Sequence, residues 1–203
     1  MRTAVVEAVL ASRNQGKAAE LTRLLRPVVA VVPLPTEVAL PPETGATLLE
    51  NACLKAEAAF AALGGRSAVL ADDSGLEVDA LHGRPGVLSA RFAGETASDQ
   101  DNLQHLLAAL QGQAQRTARF VCELVMLLPL KDGGPCSLRA RGTLEGTIIA
   151  EPRGEHGFGY DPIFVPVGWD HSIAEGRAEE KDAVSHRAAA ARSLREQLAA
   201  AGS

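Results

Sequence analysis

The stretch Leu70-Ala71-Asp72-Asp73-Ser74-Gly75-Leu76-Glu77-Val78-Asp79 decides the fold of this chain. An apolar run over 68–71 is followed at once by two carboxylates, a hydroxyl and a glycine. This pattern predicts a buried strand that ends at the acidic pair, with the charges at a cleft. Because adjacent side chains of a strand point to opposite faces, Asp72 and Asp73 are expected to have different functions. On these residues alone, an ordinary Asp/Ser/Gly turn explains the pattern equally well.

Predicted strands and helices alternate on both sides of this stretch. The expected strands are Val5–Leu10, Val28–Leu34, Arg119–Leu128 and Ser137–Ala150, the last as one or two strands joined near Gly142. The expected helices are Ala18–Leu25, Leu48–Leu63 after Thr47, a helix opened by Ser98-x-x-Asp101, and a final helix over Ala183–Ala201. Such alternation is typical of an α/β fold in which at least part of the sheet is parallel.

Composition narrows the class of protein. The 203 residues contain no internal repeat and no convincing linker, which predicts a single domain over 1–203. A net charge of -5 argues against binding of DNA or RNA through phosphate contacts, and no apolar run approaches a membrane span. Glu7 interrupts the apolar start, so we interpret Met1–Ala11 as the first strand and not as a signal peptide. Three scattered cysteines favour reduced thiols in the cytoplasm.

Two motifs are suited to an anionic ligand and a metal ion. Ser12-Arg13-Asn14-Gln15-Gly16-Lys17 lies between a predicted strand and helix, where backbone N–H groups attract anions and Lys17 adds a charge. Ordinary capping by Ser12 or Asn14 is the alternative. On the next helix, Glu50 stands three residues after Thr47, the spacing of a capping box. If that helix end faces Asp73, then Glu50 and Asp73 could hold Mg²⁺, which binds carboxylates and substrate phosphates.

Two later motifs are suited to a flat, polar ligand. In Gly157-Phe158-Gly159-Tyr160-Asp161-Pro162, the glycines would let the backbone approach a ligand on which the Phe158 ring stacks. A tight turn with a buried aromatic residue is the alternative. In Lys181-x-x-x-Ser185-His186-Arg187, basic residues at a predicted helix start oppose the helix dipole, which favours an anionic or keto-bearing ligand. A structural histidine at position 186 is the alternative.

In this order, the motifs resemble those of the inosine triphosphate pyrophosphatase family, from about Ser12 to Arg187. The most specific matches are 71–76, the Gly83-x-Pro85-Gly86-Val87-x-Ser89-Ala90-Arg91 segment, 157–162 and 185–187. The resemblance implies an elongated α/β fold with a central twisted mixed β-sheet flanked by helices. It also implies two lobes with a nucleotide groove between them, and a homodimer. The implied reaction is Mg²⁺-dependent hydrolysis of the deaminated purine nucleotides ITP, dITP and XTP to the monophosphate and pyrophosphate, which keeps them out of DNA and RNA.

The same resemblance implies a role for each matching residue. Asp73 would orient or deprotonate the attacking water, and Glu50 and Asp73 would hold the metal ion. The remaining matches would contact substrate, at the phosphates Ser12, Arg13, Asn14 and Lys17, and elsewhere Ser74, Phe158, Gly159, Tyr160, Asp161, Lys181, His186 and Arg187. We add Lys55 as a further phosphate contact, since it shares a helix face with Asn51. Ser12-Arg13-Asn14 replaces the family's commonest Thr-Gly-Asn but keeps the hydroxyl and the amide.

Alternative functions remain open at this point. A less selective nucleotide pyrophosphatase would have the same acidic site, and a nucleotide-binding regulator could have lost catalysis. A serine or cysteine hydrolase is disfavoured, because Ser74 lacks a Gly-x-Ser-x-Gly elbow and no cysteine has a recognisable histidine partner. Discrimination against ATP requires donors for a 6-keto group, which His186, Arg187 and backbone N–H groups could supply. The sequence leaves open how GTP is rejected and whether Asp72 or Asp73 is the essential carboxylate.

Overall fold

A computed structural model describes residues 5–130 and 134–201. Its elements alternate as predicted. The strands are β1 (Val6–Leu10), β2 (Val29–Pro33), β3 (Ala68–Val78), β4 (Thr117–Leu128), β5 (Cys136–Ile148) and β6 (Phe164–Pro166). The α-helices are α1 (Gln15–Leu24), α2 (Leu48–Ala62), α3 (Asp99–Ala109), α4 (Ala178–Val184) and α5 (His186–Ala201). Short 3₁₀ helices span Asp79–Leu81, Gly86–Arg91 and Asp161–Ile163. The part of the first-strand prediction that covers residues 1–4 lies outside the described residues.

The strands form one six-stranded mixed sheet in the order β2-β1-β3-β4-β5-β6. Strand β1 pairs in parallel with both β2 and β3, with Ala8 opposite Val31 on one side and Ala68 on the other. Strand β6 pairs antiparallel with β5. The prediction of an α/β fold with a partly parallel sheet is therefore confirmed. Residues 8–10 of β1 and 68–71 of β3 are apolar and buried, as expected where both faces of a sheet are covered.

The chain divides into two compact units. Unit 1 comprises 1–73, 122–142 and 187–203, and unit 2 comprises 74–121 and 143–186. Unit 1 contains two buried clusters, one around Leu10, Leu70 and Leu124, and a second around Val69 and Ala71. Unit 2 contains a third cluster around Leu76, Leu106 and Phe164. Long strands β3, β4 and β5 each contribute residues to both units.

Local capping signals give the helix starts. Thr47 Oγ1 accepts from the backbone N–H of Glu50, and Ser98 Oγ accepts from that of Asp101, so α2 and α3 both begin with the predicted capping boxes. Helix α1 begins earlier than predicted, at Gln15, because Asn14 caps it by accepting from Lys17 N at 2.9 Å. Lys17 therefore lies within the first helical turn and not in a loop.

Two other predictions of secondary structure were wrong. Strand β3 does not end at the acidic pair but continues through Asp73 to Val78. The final helix is two helices, since Ser185 has extended backbone between α4 and α5, so Lys181 lies on α4. The segment Ser137–Ala150, predicted as one or two strands, contains the single strand β5 without a break at Gly142. Both errors have one cause. Polar side chains were interpreted as the end of a strand or the start of a helix, but partners from other parts of the chain let the element continue through them.

Candidate active site

Asp72 and Asp73 contact different residues, as their alternation on β3 predicts. Both are buried, with exposed fractions of 0% and 5%. Asp72 pairs with Lys17 of α1 and Arg187 of α5, whereas Asp73 pairs with Lys55 of α2. A single strand position therefore separates two charge clusters, both within unit 1.

The Asp72 cluster is a buried network of paired charges. Lys17 Nζ lies 2.5 Å from Asp72 Oδ1, and Arg187 Nε lies 3.4 Å from Asp72 Oδ2, which also accepts from Cys122 Sγ at 3.4 Å. Burial raises the pKa of the Asp72 carboxyl, but the charges of Lys17, Arg187 and Lys55 outweigh it and hold that pKa far below its usual value. Asp72 is therefore ionised at neutral pH.

Arg187 has a second buried partner that the sequence prediction missed. Its NH1 donates to Glu20 Oε2 at 2.9 Å, and the two side chains are 4% and 6% exposed. Burial lowers the pKa of Arg187, but Asp72 and Glu20 reverse the effect and raise it. Glu20 follows Lys17 by three residues on α1, next to the buried Leu21. A carboxylate on the apolar face of a helix was the available signal.

The Asp73 cluster contains two carboxylates around one ammonium. Lys55 Nζ lies 3.0 Å from Asp73 Oδ1 and 2.6 Å from Glu43 Oε1. Burial raises the pKa of the Asp73 carboxyl, and Lys55 opposes this only in part. Burial lowers the pKa of the Lys55 ammonium, but Asp73, Asp72 and Glu43 outweigh it and raise that pKa. Glu43, which ends the proline-rich segment before α2, was missed because nothing local distinguishes it from a loop carboxylate.

Glu50 occupies the exposed first turn of α2. Its Oε2 accepts from Ala46 N at 2.6 Å and from Thr47 N at 3.3 Å, which completes the capping box. Asn51, on the next position, is fully buried and accepts from Gly45 N at 2.7 Å. Helix α2 thus organises the 43–47 segment through its own first turn. The metal-binding role of Glu50 stays a prediction.

The segment Ser12–Asn14 is ordered by its own side chains. Ser12 Oγ accepts from Asn14 N at 3.2 Å, and the Asn14 carbonyl oxygen Oδ1 caps α1. A cleft of about 420 Å³ lies beside it, and none of the described residues that line the cleft is acidic. Polar groups at a helix N-terminus, with no carboxylate facing them, are suited to an anion.

Arg13 has different partners from those expected of a phosphate ligand. Its guanidinium donates to the carbonyls of Leu34, Pro35, Thr36 and Val38, at 2.9 to 3.2 Å. One of these bonds comes from NH1 and three come from NH2, so both terminal nitrogens of the guanidinium are engaged. Arg13 therefore clamps the segment after β2, and a phosphate contact would have to replace part of this clamp.

Unit 2 contains the second set of predicted substrate-binding residues. Asp161 Oδ2 accepts from Lys181 Nζ at 2.6 Å, and the same ammonium lies 4.7 Å from the centroid of the Phe158 ring. Lys181 is 6% exposed and Asp161 2%, whereas Phe158 is half-buried. Tyr160 is 4% exposed and donates its hydroxyl to Ser89 O at 2.8 Å. Burial raises the pKa of that hydroxyl, so Tyr160 stays neutral.

His186 is 1% exposed, and its ring stacks on Phe120 with centroids 4.9 Å apart and planes at 12°. Ser74 is half-buried on β3, directly after Asp73. The predicted residues thus fall into two groups. Those of unit 1 are Ser12, Arg13, Asn14, Lys17, Glu50, Lys55, Asp73 and Arg187, and those of unit 2 are Ser74, Phe158, Gly159, Tyr160, Asp161, Lys181 and His186.

The described residues were compared with two patterns, a cluster of metal ligands and a membrane-spanning helix. Within residues 5–130 and 134–201, no three or more His, Cys, Asp or Glu side chains are grouped as a metal cage. None of the helices in the described part of the chain has both the length and the apolarity that a membrane span requires.

The mixed six-stranded sheet and its buried carboxylate–ammonium clusters define an α/β protein with a polar site suited to anionic ligands. The model described as the Ham1 family matches residues 8–197, and the chain belongs to that family. The resemblance to inosine triphosphate pyrophosphatases is confirmed by relatives that carry that activity in their names.

Two such relatives are similar over almost their whole length. The dITP/XTP pyrophosphatase of an Exiguobacterium species is 48% identical, with 94% of this chain and 95% of the relative covered. That of Bacillus subtilis is 45% identical, with 96% and 98% covered. Among solved structures, a HAM1 protein from Coxiella burnetii has a TM-score of 0.83 at 41% identity, with 97% of this chain and 100% of the other covered. The Staphylococcus aureus Ham1 protein has a TM-score of 0.81 at 42% identity, with 96% and 99% covered.

Proposed function

We propose that this protein hydrolyses deaminated purine nucleoside triphosphates, dITP, ITP and XTP, to the monophosphate and pyrophosphate. The names of its full-length relatives support this reaction. The observation that carries it is the buried Asp73 carboxylate, whose pKa is raised while Lys55 lies 3.0 Å away. A carboxylate with a raised pKa is a better proton acceptor than one in water, and phosphoryl transfer needs little more than positioning and charge stabilisation.

In this proposal, Asp73 orients or deprotonates the attacking water molecule. Its Oδ1 is held by Lys55, so the carboxylate is fixed in orientation, and the second oxygen is the one suited to a water molecule. Lys55 is itself held by Glu43, which fixes the ammonium on a buried helix face. The raised pKa of Lys55 keeps it charged, so that it can also stabilise negative charge on a phosphate.

The donor chemistry around Asp73 fits Mg²⁺. This ion keeps several waters and binds through one or two carboxylates together with substrate phosphates, so it needs no cage of three protein ligands. Asp73 and Glu50 would hold it, and Glu43, 2.6 Å from Lys55 Nζ, is the second carboxylate of the Asp73 cluster. When bound, the ion would neutralise part of the triphosphate charge.

The phosphates are assigned to the start of α1 and to Lys55. Ser12, Asn14 and the N–H groups of the first turn supply neutral donors, and Lys17 supplies a charge. Arg13 supports this site by holding the 34–38 segment. It would contact a phosphate only if some of its bonds to the carbonyls of that segment break. Arg187 and Asp72 brace the same unit from the opposite face of β3.

The base is assigned to residues of unit 2. Phe158 offers a ring that stacks on a purine, and Gly159, Asp161, Lys181 and His186 offer polar atoms, with Ser74 as a further substrate contact. The buried hydroxyl of Tyr160, which donates to Ser89 O, suits a role in shaping this segment. A 6-keto group needs a donor where adenine presents an amino group. Two mismatches at about 1–3 kcal/mol each correspond to roughly 10²- to 10⁴-fold discrimination against ATP.

The experiment that tests this function is pyrophosphate release from ITP, XTP, GTP and ATP, with Mg²⁺ and with EDTA. We expect release from ITP and XTP at least about a hundredfold above ATP, and its loss in EDTA. Equal rates on all four would indicate a general nucleotide pyrophosphatase. Binding without release would indicate a regulator.

The cytoplasmic homodimer is also a proposal, and light scattering of the purified protein tests its dimeric state.

A further inference from the structure

The segment 157–161 is a tight turn with its own internal bonds. Gly157 and Gly159 have φ of +79° and +63°, a region that side chains disfavour. Phe158 N donates to Asp161 Oδ2 at 2.9 Å, and Asp161 N donates to Phe158 O at 3.3 Å. A Cβ on Gly157 would lie 2.1 Å from Asp161 Oδ2. These contacts fix the two ends of the turn but not its middle residue, Gly159.

One external contact to this turn comes from a segment with no assigned function, Gly86–Arg91. Tyr160 donates its hydroxyl to Ser89 O inside the protein. Ser89 is itself held, because its Oγ donates to Gly86 O at 2.6 Å and accepts from Leu76 N at 2.8 Å. Since β3 carries Leu76, the Tyr160 contact ties the turn to the sheet. This side of the turn is therefore rigid.

The contact to Gly159 comes from a different element and is exposed. Gly159 N donates to Asp99 Oδ2 at 2.8 Å, and Asp99 lies in the first turn of α3. The capping box of that helix is made by Ser98 and Asp101, so Asp99 is not needed to start it. A Cβ built on Gly159 would meet no atom within 4 Å, so packing does not restrain this residue.

We propose that Asp99 is a positioning residue for base recognition. By accepting the Gly159 N–H it holds the middle of the turn, and with it the Phe158 ring, in one conformation before substrate arrives. When a ligand stacks on Phe158, the turn then loses less conformational entropy, because it is already ordered. This inference rests on the proposed function, in which Phe158 contacts the base. It predicts an effect on KM and on base selectivity, and little effect on kcat.

The test compares three variants with the wild-type protein. Asp99→Ala removes the acceptor, Asp99→Asn keeps a carbonyl oxygen that can accept the same N–H, and Asp101→Ala weakens α3 without touching the turn. For Asp99→Ala we expect KM for ITP to rise roughly 3- to 10-fold, the range that the loss of one hydrogen bond gives, with kcat within about twofold. We expect Asp99→Asn to restore KM, and Asp101→Ala to leave it unchanged.

A second readout is the hydrogen exchange of the Gly159 amide, followed by NMR on the full-length protein. In Asp99→Ala it should exchange at least about threefold faster than in the wild type, and in Asp101→Ala at the wild-type rate. Unchanged exchange in Asp99→Ala would overturn the proposal, as would an Asp99→Asn variant as impaired as Asp99→Ala. The exchange measurement needs no turnover. If the wild-type protein fails to cleave ITP, the proposed function fails while the contact to Gly159 is still tested.

Discussion

The ammonium of Lys55 lies 3.0 Å from the carboxylate of Asp73, and both side chains are 7% exposed. On the adjacent residue, Asp72, a separate pair of cations compensates the charge. Of the two carboxylates, Asp72 has its pKa lowered and Asp73 has its pKa raised. Two neighbouring acids whose environments move their pKa values apart are typical of a division between structural support and proton transfer. We therefore propose Asp73 as the essential carboxylate, a choice that the sequence left open, and mutagenesis tests that assignment.

Asp73→Asn keeps the shape of the side chain but removes its capacity to accept a proton. We expect pyrophosphate release from ITP to fall at least about a hundredfold, the usual contribution of a general base. Circular dichroism should show an unchanged fold. The matched control is Glu57→Gln, an exposed carboxylate on the same helix as Lys55. Near-normal activity of Asp73→Asn would remove Asp73 from the mechanism.

Asp72→Asn should destabilise the protein and do so in a pH-dependent way. Breaking one side of a buried ion pair costs about 3–5 kcal/mol, because Lys17 and Arg187 lose the Asp72 charge and Arg187 keeps only Glu20. The pKa of Asp72 is lowered in the folded state, so its stabilisation is complete above the unfolded value of about 3.9. Below that pH the unfolded chain takes up the proton first, and the stabilisation declines.

Urea unfolding in EDTA measures this difference. Wild type and Asp72→Asn should differ most near pH 7, and the difference should shrink as the pH falls from about 4. A difference that stays constant over this range would mean that the ionised carboxylate is not what stabilises the fold.

Arg13→Lys should weaken the clamp on the segment after β2. Lysine carries the charge but cannot reach four carbonyls with a planar fork of donors. We expect the free energy of unfolding to fall by about 1–2 kcal/mol, and the 34–38 amides to exchange faster with solvent. Arg66→Lys, an exposed arginine of the same unit, is the control and should be neutral. Equal stability of the two variants would show that the clamp contributes nothing.

Gly75→Ala should disrupt the contact between β3 and the Gly86–Arg91 segment. An added Cβ would lie 2.3 Å from Gly86 O and 2.9 Å from Gly86 C, and backbone cannot move aside as a flexible side chain does. We expect a loss of about 2–3 kcal/mol in unfolding free energy. At Gly134 a Cβ meets nothing within 4 Å, so Gly134→Ala should stay within about 0.5 kcal/mol of wild type.

The features that local sequence signals encode were predicted well. The capping boxes at Thr47 and Ser98 gave the starts of α2 and α3, and apolar runs gave the parallel strands. The alternation of side chains along a strand was enough to predict that Asp72 and Asp73 lie on opposite faces and contact different residues. In each case the physical cause lies within a few residues of the feature.

The errors share a non-local cause. Strand β3 continues through its acidic pair because Lys17, Lys55 and Arg187 compensate the charges, and all three come from other segments of the chain. Glu43 was missed for the same reason, since it is recognised only by its partner, whereas Glu20 did carry a local signal, its place on the buried face of α1. Arg13 was expected at the phosphates, and the carbonyls it clamps lie 21 to 25 residues away. No local pattern encodes such pairs.

The bond between Arg187 and Glu20 joins positions 167 residues apart. At a synthesis rate of about 5–20 residues per second, Glu20 and Asp72 leave the ribosome on the order of ten seconds before Arg187 exists. During that interval Asp72 already has Lys17 as a partner, whereas Glu20 lacks the arginine with which it pairs in the folded protein, and this disfavours its burial. We therefore expect Glu20 to become buried only after α5 has been synthesised.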